Sequence, residues 1–123
     1  MKIVSTNNAP GAIGPYSQAV IAGGMVYTSG QIAIDPATGN MVEGGVKEQT
    51  EQVCKNVKAL LEASGTSIEK VVKTTCFLAD MADFAVFNEI YAGYFTGKPA
   101  RSCVAVKTLP KGALVEVDTV CLL

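Results

Sequence analysis

Arg101 and Glu116 are the two residues of this 123-residue chain whose type and setting best suit chemistry. Arg101 stands at the mouth of the run Pro99-Ala100-Arg101-Ser102-Cys103-Val104-Ala105-Val106. Proline has no N–H to give a ladder, and the small and β-branched residues after it predict a strand beginning at Ala100. Side chains alternate along a strand, so Arg101, Cys103 and Ala105 share one face while Ser102, Val104 and Val106 share the other. A guanidinium there must meet a carboxylate, a phosphate, an acidic ligand or water, because burying that charge alone is prohibitive. Taken by itself, a structural ion pair is the more ordinary outcome for a lone arginine, with a clamp on an anionic ligand as the alternative. Glu116 lies in the last strand, Leu114 to Cys121, where Val115, Val117, Thr119 and Cys121 alternate with Leu114, Glu116, Asp118 and Val120. It is the natural candidate to meet Arg101 or to face the same cleft, although period alone does not give its side.

Other reactive side chains carry weaker signals. Cys54, Cys76, Cys103 and Cys121 are widely spaced, with no Cys-x-x-Cys and no histidine to complete a zinc site. Buried free thiols in a reducing, cytoplasmic setting are expected. With no histidine to activate it, Cys103 is assigned a packing role for its thiol and any function to its backbone. Lys73 sits in a predicted strand, where a single lysine usually points outward, so a Schiff-base role is set aside. Asn88 falls one turn after Phe84 on an aromatic stripe, and its amide needs partners, either in a core network or on the wall of a site. In Ser29-Gly30-Gln31 a glycine lets backbone N–H groups approach a ligand with no Cβ in the way, or it marks an ordinary bulge.

These residues need elements to position them. Ile3-Val4 predicts a short edge strand before the turn-forming loop Asn7-Asn8-Ala9-Pro10-Gly11. Ser17 to Ala22 and Met25 to Thr28 flank Gly23-Gly24 and predict a hairpin through a primed turn. Val46, Thr50, Val53, Val57, Leu60, Leu61 and Ser64 recur at helical spacing with charges largely opposite, and Gly65 is the stop. Val71 to Leu78 predicts a strand; Asp80 is expected to cap a second helix whose stripe is Phe84, Phe87, Tyr91, Tyr94 and Phe95. Two helices then cover one face of a mixed sheet, and the other face needs cover that so short a chain lacks. Neighbouring subunits closing into a ring would supply it.

Composition agrees. The length predicts a single domain over residues 1–123. Charged residues are 17% and hydrophobic ones 49%, with mean hydropathy +0.30, so apolar surface is plentiful and subunit interfaces are expected. A net charge of −1, a pI near 5.3 and no basic cluster disfavour nucleic acid as the main partner. The apolar run Ala19 to Tyr27 is short and broken by Gly23-Gly24, so no membrane span is expected, and Met1-Lys2-Ile3-Val4-Ser5 is too brief for a signal peptide.

Four stretches stand together: Gly14-Pro15-Tyr16-Ser17-Gln18-Ala19, Thr28-Ser29-Gly30-Gln31-Ile32, Val72-Lys73-Thr74-Thr75, and Pro99 to Val104 followed by Leu109-Pro110-Lys111-Gly112-Ala113-Leu114-Val115-Glu116. In order and spacing they resemble the RidA (YjgF/YER057c/UK114) family over essentially the whole chain. The resemblance implies a chorismate-mutase-like α+β fold with two helices packed on one face of a mixed sheet. It also implies a homotrimer with a barrel-like core and clefts between neighbouring subunits. The implied activity is hydrolysis of reactive enamine and imine intermediates, such as 2-aminoacrylate and 2-iminobutanoate, to 2-keto acids and ammonia, with a functional link to pyridoxal-phosphate dehydratases. By position, Arg101 matches the family's carboxylate-binding arginine and Glu116 its acidic residue, while Tyr16, Ser29, Gly30, Asn88 and Cys103 match its cleft lining. With these matches the clamp becomes the favoured reading of Arg101.

The chemistry fits those residue types. A planar guanidinium grips the carboxylate of a 2-imino acid through two parallel hydrogen bonds and so places its electrophilic carbon. Glu116 is the candidate to orient water and pass a proton, with Tyr16 assisting and the N–H groups of Gly30 and Cys103 holding the carboxylate or the developing oxygen. Imines already hydrolyse in water, so a proton-transfer gain on the order of 10²–10⁴ plus positioning suffices, with no metal, cofactor or covalent nucleophile required. Two other classes share features: a module that binds small carboxylates without turnover, and the translation-inhibitor or endoribonuclease role attached to some family members. Two departures stand out. Ala105 occupies a position where relatives often carry glutamate or glutamine, and Phe95-Thr96-Gly97-Lys98-Pro99 is shorter than in many relatives, so the cleft mouth is expected to admit a different range of side chains.

Overall fold

Strand pairing in the computed structural model, which describes residues 1–123, begins with β1 (Lys2–Val4) against β2 (Ala19–Ala22). β2 turns at Gly23-Gly24 into β3 (Met25–Thr28), and φ values of 57° and 75° at the two glycines make the primed turn that the dipeptide predicts. α1 (Val46–Ala63) follows, then β4 (Val71–Leu78), α2 (Phe84–Tyr94), β5 (Ala100–Ala105) and β6 (Val115–Leu122). The six strands lie in the order β1-β2-β3-β6-β4-β5. Only the β4–β5 pair is parallel, its crossover made by α2. The result is the mixed α+β sheet with two helices that the sequence implies. No helix is long and apolar enough to cross a membrane.

α1 starts where the Gly45 N–H donates to Glu48 Oε1 at 2.9 Å and ends at Gly65. Its face Val53, Val57, Leu60 and Leu61 is wholly buried in a twenty-residue core, and each such side chain contributes roughly 1.5–3 kcal/mol by leaving water. Two expectations for α2 are corrected. Asp80 accepts from Ala82 N at 2.9 Å and so caps a short 3₁₀ turn, Met81–Asp83, not the helix, which starts one turn later at Phe84. Of the aromatic stripe, only Phe87, Tyr91 and Phe95 are buried; Phe84 and Tyr94 lie at its margins, and Tyr94 Oη donates to Glu51 of α1 at 2.5 Å.

The sheet has two unlike faces. Toward the helices, β6 places Val115, Val117, Thr119 and Cys121, all buried, beside Leu78, Cys76 and Thr74 of β4. Away from them lie Glu116, Asp118, Val120 and Leu122 with Thr75 and Phe77 of β4, Ser102 and Val104 of β5, Tyr27 of β3 and Ile3 of β1. No element of the chain covers this second face: Val104 is 47% exposed and Leu122 49%. Three thiols are buried and free, whereas Cys103 is half-buried.

Candidate functional site

Arg101 lies at the start of β5, an edge strand, and its register partner Thr74 is fully buried on the helix side. The guanidinium therefore points toward α2. There its Nη1 donates to Asn88 Oδ1 at 2.7 Å, while its carbon lies 4.8 Å from the Tyr91 ring centroid and 5.4 Å from that of Phe84. Tyr91 is held in turn by a 2.7 Å hydrogen bond with the Thr74 hydroxyl, under the strand. Three neutral groups thus orient Arg101, and its hydrogen-bond partner is an amide, not the carboxylate of an ion pair. Spending one of five N–H donors on Asn88 leaves the rest of the fork for a ligand. The fork opens on a hollow of about 640 Å³ lined by Asn88, Tyr91, Phe95, Lys98, Pro99 and Arg101 among others, none of them acidic.

Tyr16, Ser29, Gly30 and Glu116 gather elsewhere, around a second hollow of about 550 Å³ that also takes in Gln31 and Lys111. Between the pairs Thr28/Thr119 and Gln31/Val117 the β3 side carries an extra residue, so Ser29-Gly30 bulges, as one reading of the glycine expected. The bulge also brings the backbone against Glu116: a Cβ built on Gly30 would stand 2.7 Å from Glu116 Oε2. Ser29 is tied down by Oγ donating to Ser17 O at 2.6 Å and by its N–H to Gln18 O at 2.9 Å. Tyr16 is half exposed, its Oη accepting from Ile13 N at 3.4 Å.

Burial pushes the Glu116 carboxyl above the ordinary glutamate range, and neighbouring Asp118 pushes it further. Asp118 is itself raised by burial, with Thr75 and Lys73 opposing the shift. Such a carboxyl holds and releases a proton nearer to neutrality than a free one. The Cys103 thiol is also raised by burial, against an opposing pull from Arg101, so it stays protonated as a packing group, two residues from Arg101 on the same face.

The expected residues therefore fall into two sets. Arg101 and Asn88 meet, with Cys103 behind them; Tyr16, Ser29, Gly30 and Glu116 meet; the sets do not meet each other within one chain. Glu116 pairs with Phe77 on the open face, whereas Arg101 is on the helix face, so the expectation that Glu116 reaches Arg101 or shares its cleft fails inside the chain. Three contributors escaped the sequence reading. Gln18, 4% exposed, ties the loop before Tyr16 to β2, accepting from Thr6 N at 2.7 Å and donating to Thr6 O, Ala9 O and Pro10 O. Its signals were a polar residue entering an apolar strand beside a turn-rich loop and its place in the stretch Gly14 to Ala19. Tyr91 and Phe84, read there as core, flank the guanidinium.

Residues 6–123 match the family model described as endoribonuclease L-PSP. The human 2-iminobutanoate/2-iminopropanoate deaminase is 49% identical over 120 residues, which span 97% of this chain and 88% of that protein. RidA from an Antarctic Psychrobacter superposes with a TM-score of 0.95 at 44% identity, covering 100% of both chains. TdcF of E. coli, solved with bound serine, superposes with a TM-score of 0.95 at 42% identity, covering 100% of this chain and 99% of its own.

Proposed function

The chain belongs to the endoribonuclease L-PSP family, the family of RidA, and from that premise we propose that it hydrolyses reactive 2-imino acids, and the enamines in equilibrium with them, to 2-keto acids and ammonia. The observation that carries this reading is Arg101, a guanidinium aimed by Asn88 and flanked by Tyr91 and Phe84 with no carboxylate to neutralise it. Such an arrangement waits for an anion, and the planar fork suits a carboxylate. TdcF is described with serine bound, a small amino acid of the same ligand class.

The working assembly is a homotrimer in which the bare sheet faces close around a common axis. Each cleft then takes Arg101, Asn88 and Cys103 from one protomer and Tyr16, Ser29, Gly30 and Glu116 from its neighbour. The substrate carboxylate lies on Arg101 and puts the C=N carbon opposite Glu116. Glu116 takes a proton from water as its oxygen adds to the protonated imine, and the product is a carbinolamine. The same carboxyl returns the proton to nitrogen; ammonia departs as the carboxylate, free again, takes the remaining O–H proton and the C=O forms. Gly30 and Cys103 N–H groups hold the substrate's oxygens, and Tyr16 borders the reacting atoms.

The test is imine hydrolysis itself. Threonine dehydratase releases the imine, semicarbazide competes with water for it, and added protein is expected to lower semicarbazone formation. Arg101→Lys keeps the charge and loses the fork, so kcat/KM is expected to fall tenfold or more, about 1.4 kcal/mol of transition-state binding. An unaltered rate in that variant, or no effect of the native protein on trapping, overturns the reading. The endoribonuclease reading predicts RNA cleavage by the purified chain; a net charge of −1 and the lack of any histidine lend it no support.

A further inference from the structure

Lys98 stands three residues before Arg101, and both line the same hollow. Its backbone is unusual on two counts. With φ at 51° it occupies the left-handed region, where a side chain with a Cβ is disfavoured, and it directly precedes Pro99, which disfavours the helical region for the residue before it. The surrounding turn enforces this conformation. Lys98 N–H donates to Phe95 O at 3.2 Å, and Gly97 is pressed so close to the backbone of Glu69 that a Cβ on it would stand 2.6 Å from the carbonyl oxygen. Glycine or asparagine fits this conformation at lower cost, yet the chain carries a lysine.

From its own chain the hollow thus presents two cations, one clamped and one on a stiff turn, and no acidic side chain. Three residues of chain keep their Cα atoms within ~10 Å of each other. A monocarboxylate answers Arg101 alone and leaves the ammonium to water. Building on the imine hydrolysis proposed above, we infer that Lys98 is a specificity-determining residue that favours 2-imino acids bearing a second carboxylate, the class formed by oxidising or dehydrogenating acidic amino acids. The first carboxylate occupies the Arg101 fork, the C=N carbon stays where a monocarboxylate substrate would have it, and the side-chain carboxylate reaches the Lys98 ammonium.

Lys98 is exposed, so its pull is screened; a preference of roughly three- to tenfold for the dianion is expected at low salt, shrinking as ionic strength rises. Two readouts separate this inference from the one beneath it. Steady-state kcat/KM is measured for the imines that amino-acid oxidases release from glutamate and from 2-aminobutyrate, and binding of 2-oxoglutarate and 2-oxobutanoate is titrated without turnover. Lys98→Asn, which accepts the left-handed backbone, is expected to lower the dianion-to-monoanion ratio in both readouts to about one. Turnover of the monocarboxylate imine with a ratio that Lys98→Asn leaves unchanged overturns the role of Lys98 and spares the deaminase reading. Failure to hydrolyse either imine removes the deaminase reading; the titration then still decides for Lys98, because equal or absent binding of the two keto acids overturns it.

Discussion

A single methyl group at Gly30 tests the catalytic assignment of Glu116 without substituting Glu116. The Cβ of Gly30→Ala would stand 2.7 Å from Glu116 Oε2, 2.8 Å from Cδ and 3.0 Å from Cγ, against about 3.5–4.0 Å for relaxed contacts between heavy atoms. Gly30 is outside the left-handed region, so alanine carries no backbone penalty there and the conflict is with the side chain alone. Glu116 is half-buried and flexible at its end, so its carboxylate moves away by about 1 Å while the strand stays in place. A misplacement of that size costs on the order of 10²-fold, within the 10²–10⁴ that proton transfer supplies. The expected result is therefore a kcat about 10²-fold lower, by semicarbazide competition, with a change in unfolding free energy of only about 0.5 kcal/mol. The double variant Gly30→Ala/Glu116→Gln is expected to be no slower than Glu116→Gln alone, since both changes remove the same function. A native rate in Gly30→Ala, or losses that multiply in the double variant, would refute a positioned Glu116 carboxylate.

Asn88→Ala removes the 2.7 Å bond that turns the guanidinium, a charge-assisted contact worth about 1.5–3 kcal/mol; KM is expected to rise tenfold or more with a smaller change in kcat, read from steady-state kinetics. Burial raises Glu116, so folding binds its proton more tightly, and its favourable contribution exists below the ordinary carboxylate range and disappears as pH climbs through the folded value. Glu116→Gln is accordingly expected to be more stable than the native chain at neutral pH, with the difference vanishing below about pH 4 in denaturant titrations, and to lose the acid limb of the pH–rate profile. Refolding Arg101→Lys together with Glu116→Gln at equal amounts is expected to restore activity, because about one quarter of all clefts formed by random assembly into trimers draw an intact arginine and an intact glutamate from different protomers. Sedimentation of the native chain at three times its 12.8 kDa mass accompanies that result; a monomer, or a mixture as inactive as its components, would contradict the shared cleft.

What the chain discloses before folding depends on how local each signal is. Val71 to Leu78 is a strand with the bounds its β-branched run suggests, and the Gly23-Gly24 hairpin forms because two glycines satisfy a turn that other residues resist. Asp80 was misplaced because a 3₁₀ turn and an α-helix present the same capping signal within one turn of each other. The side of the sheet taken by Glu116 was invisible for a different reason. It depends on two registers that no local pattern encodes: Arg101 pairs with Thr74, and Thr74 pairs with Thr119. Those three share the helix face, and Glu116 is an odd number of positions from Thr119, so strand alternation sends it to the other.

That parity has a functional consequence. A strand residue cannot change faces without a bulge, and β6 pairs with β4 without interruption from Val115 to Val120. The distance between guanidinium and carboxylate therefore cannot be closed by a side-chain rotation or a loop movement in one chain. In the proposed trimer the residues of the reaction come together where the helix-side edge of one sheet meets the bare face of another. The same bare face holds Val104 and Leu122, about half exposed in the isolated chain, so in the proposed trimer the apolar surface to be buried and the carboxylate that would complete the cleft lie on one side of one sheet.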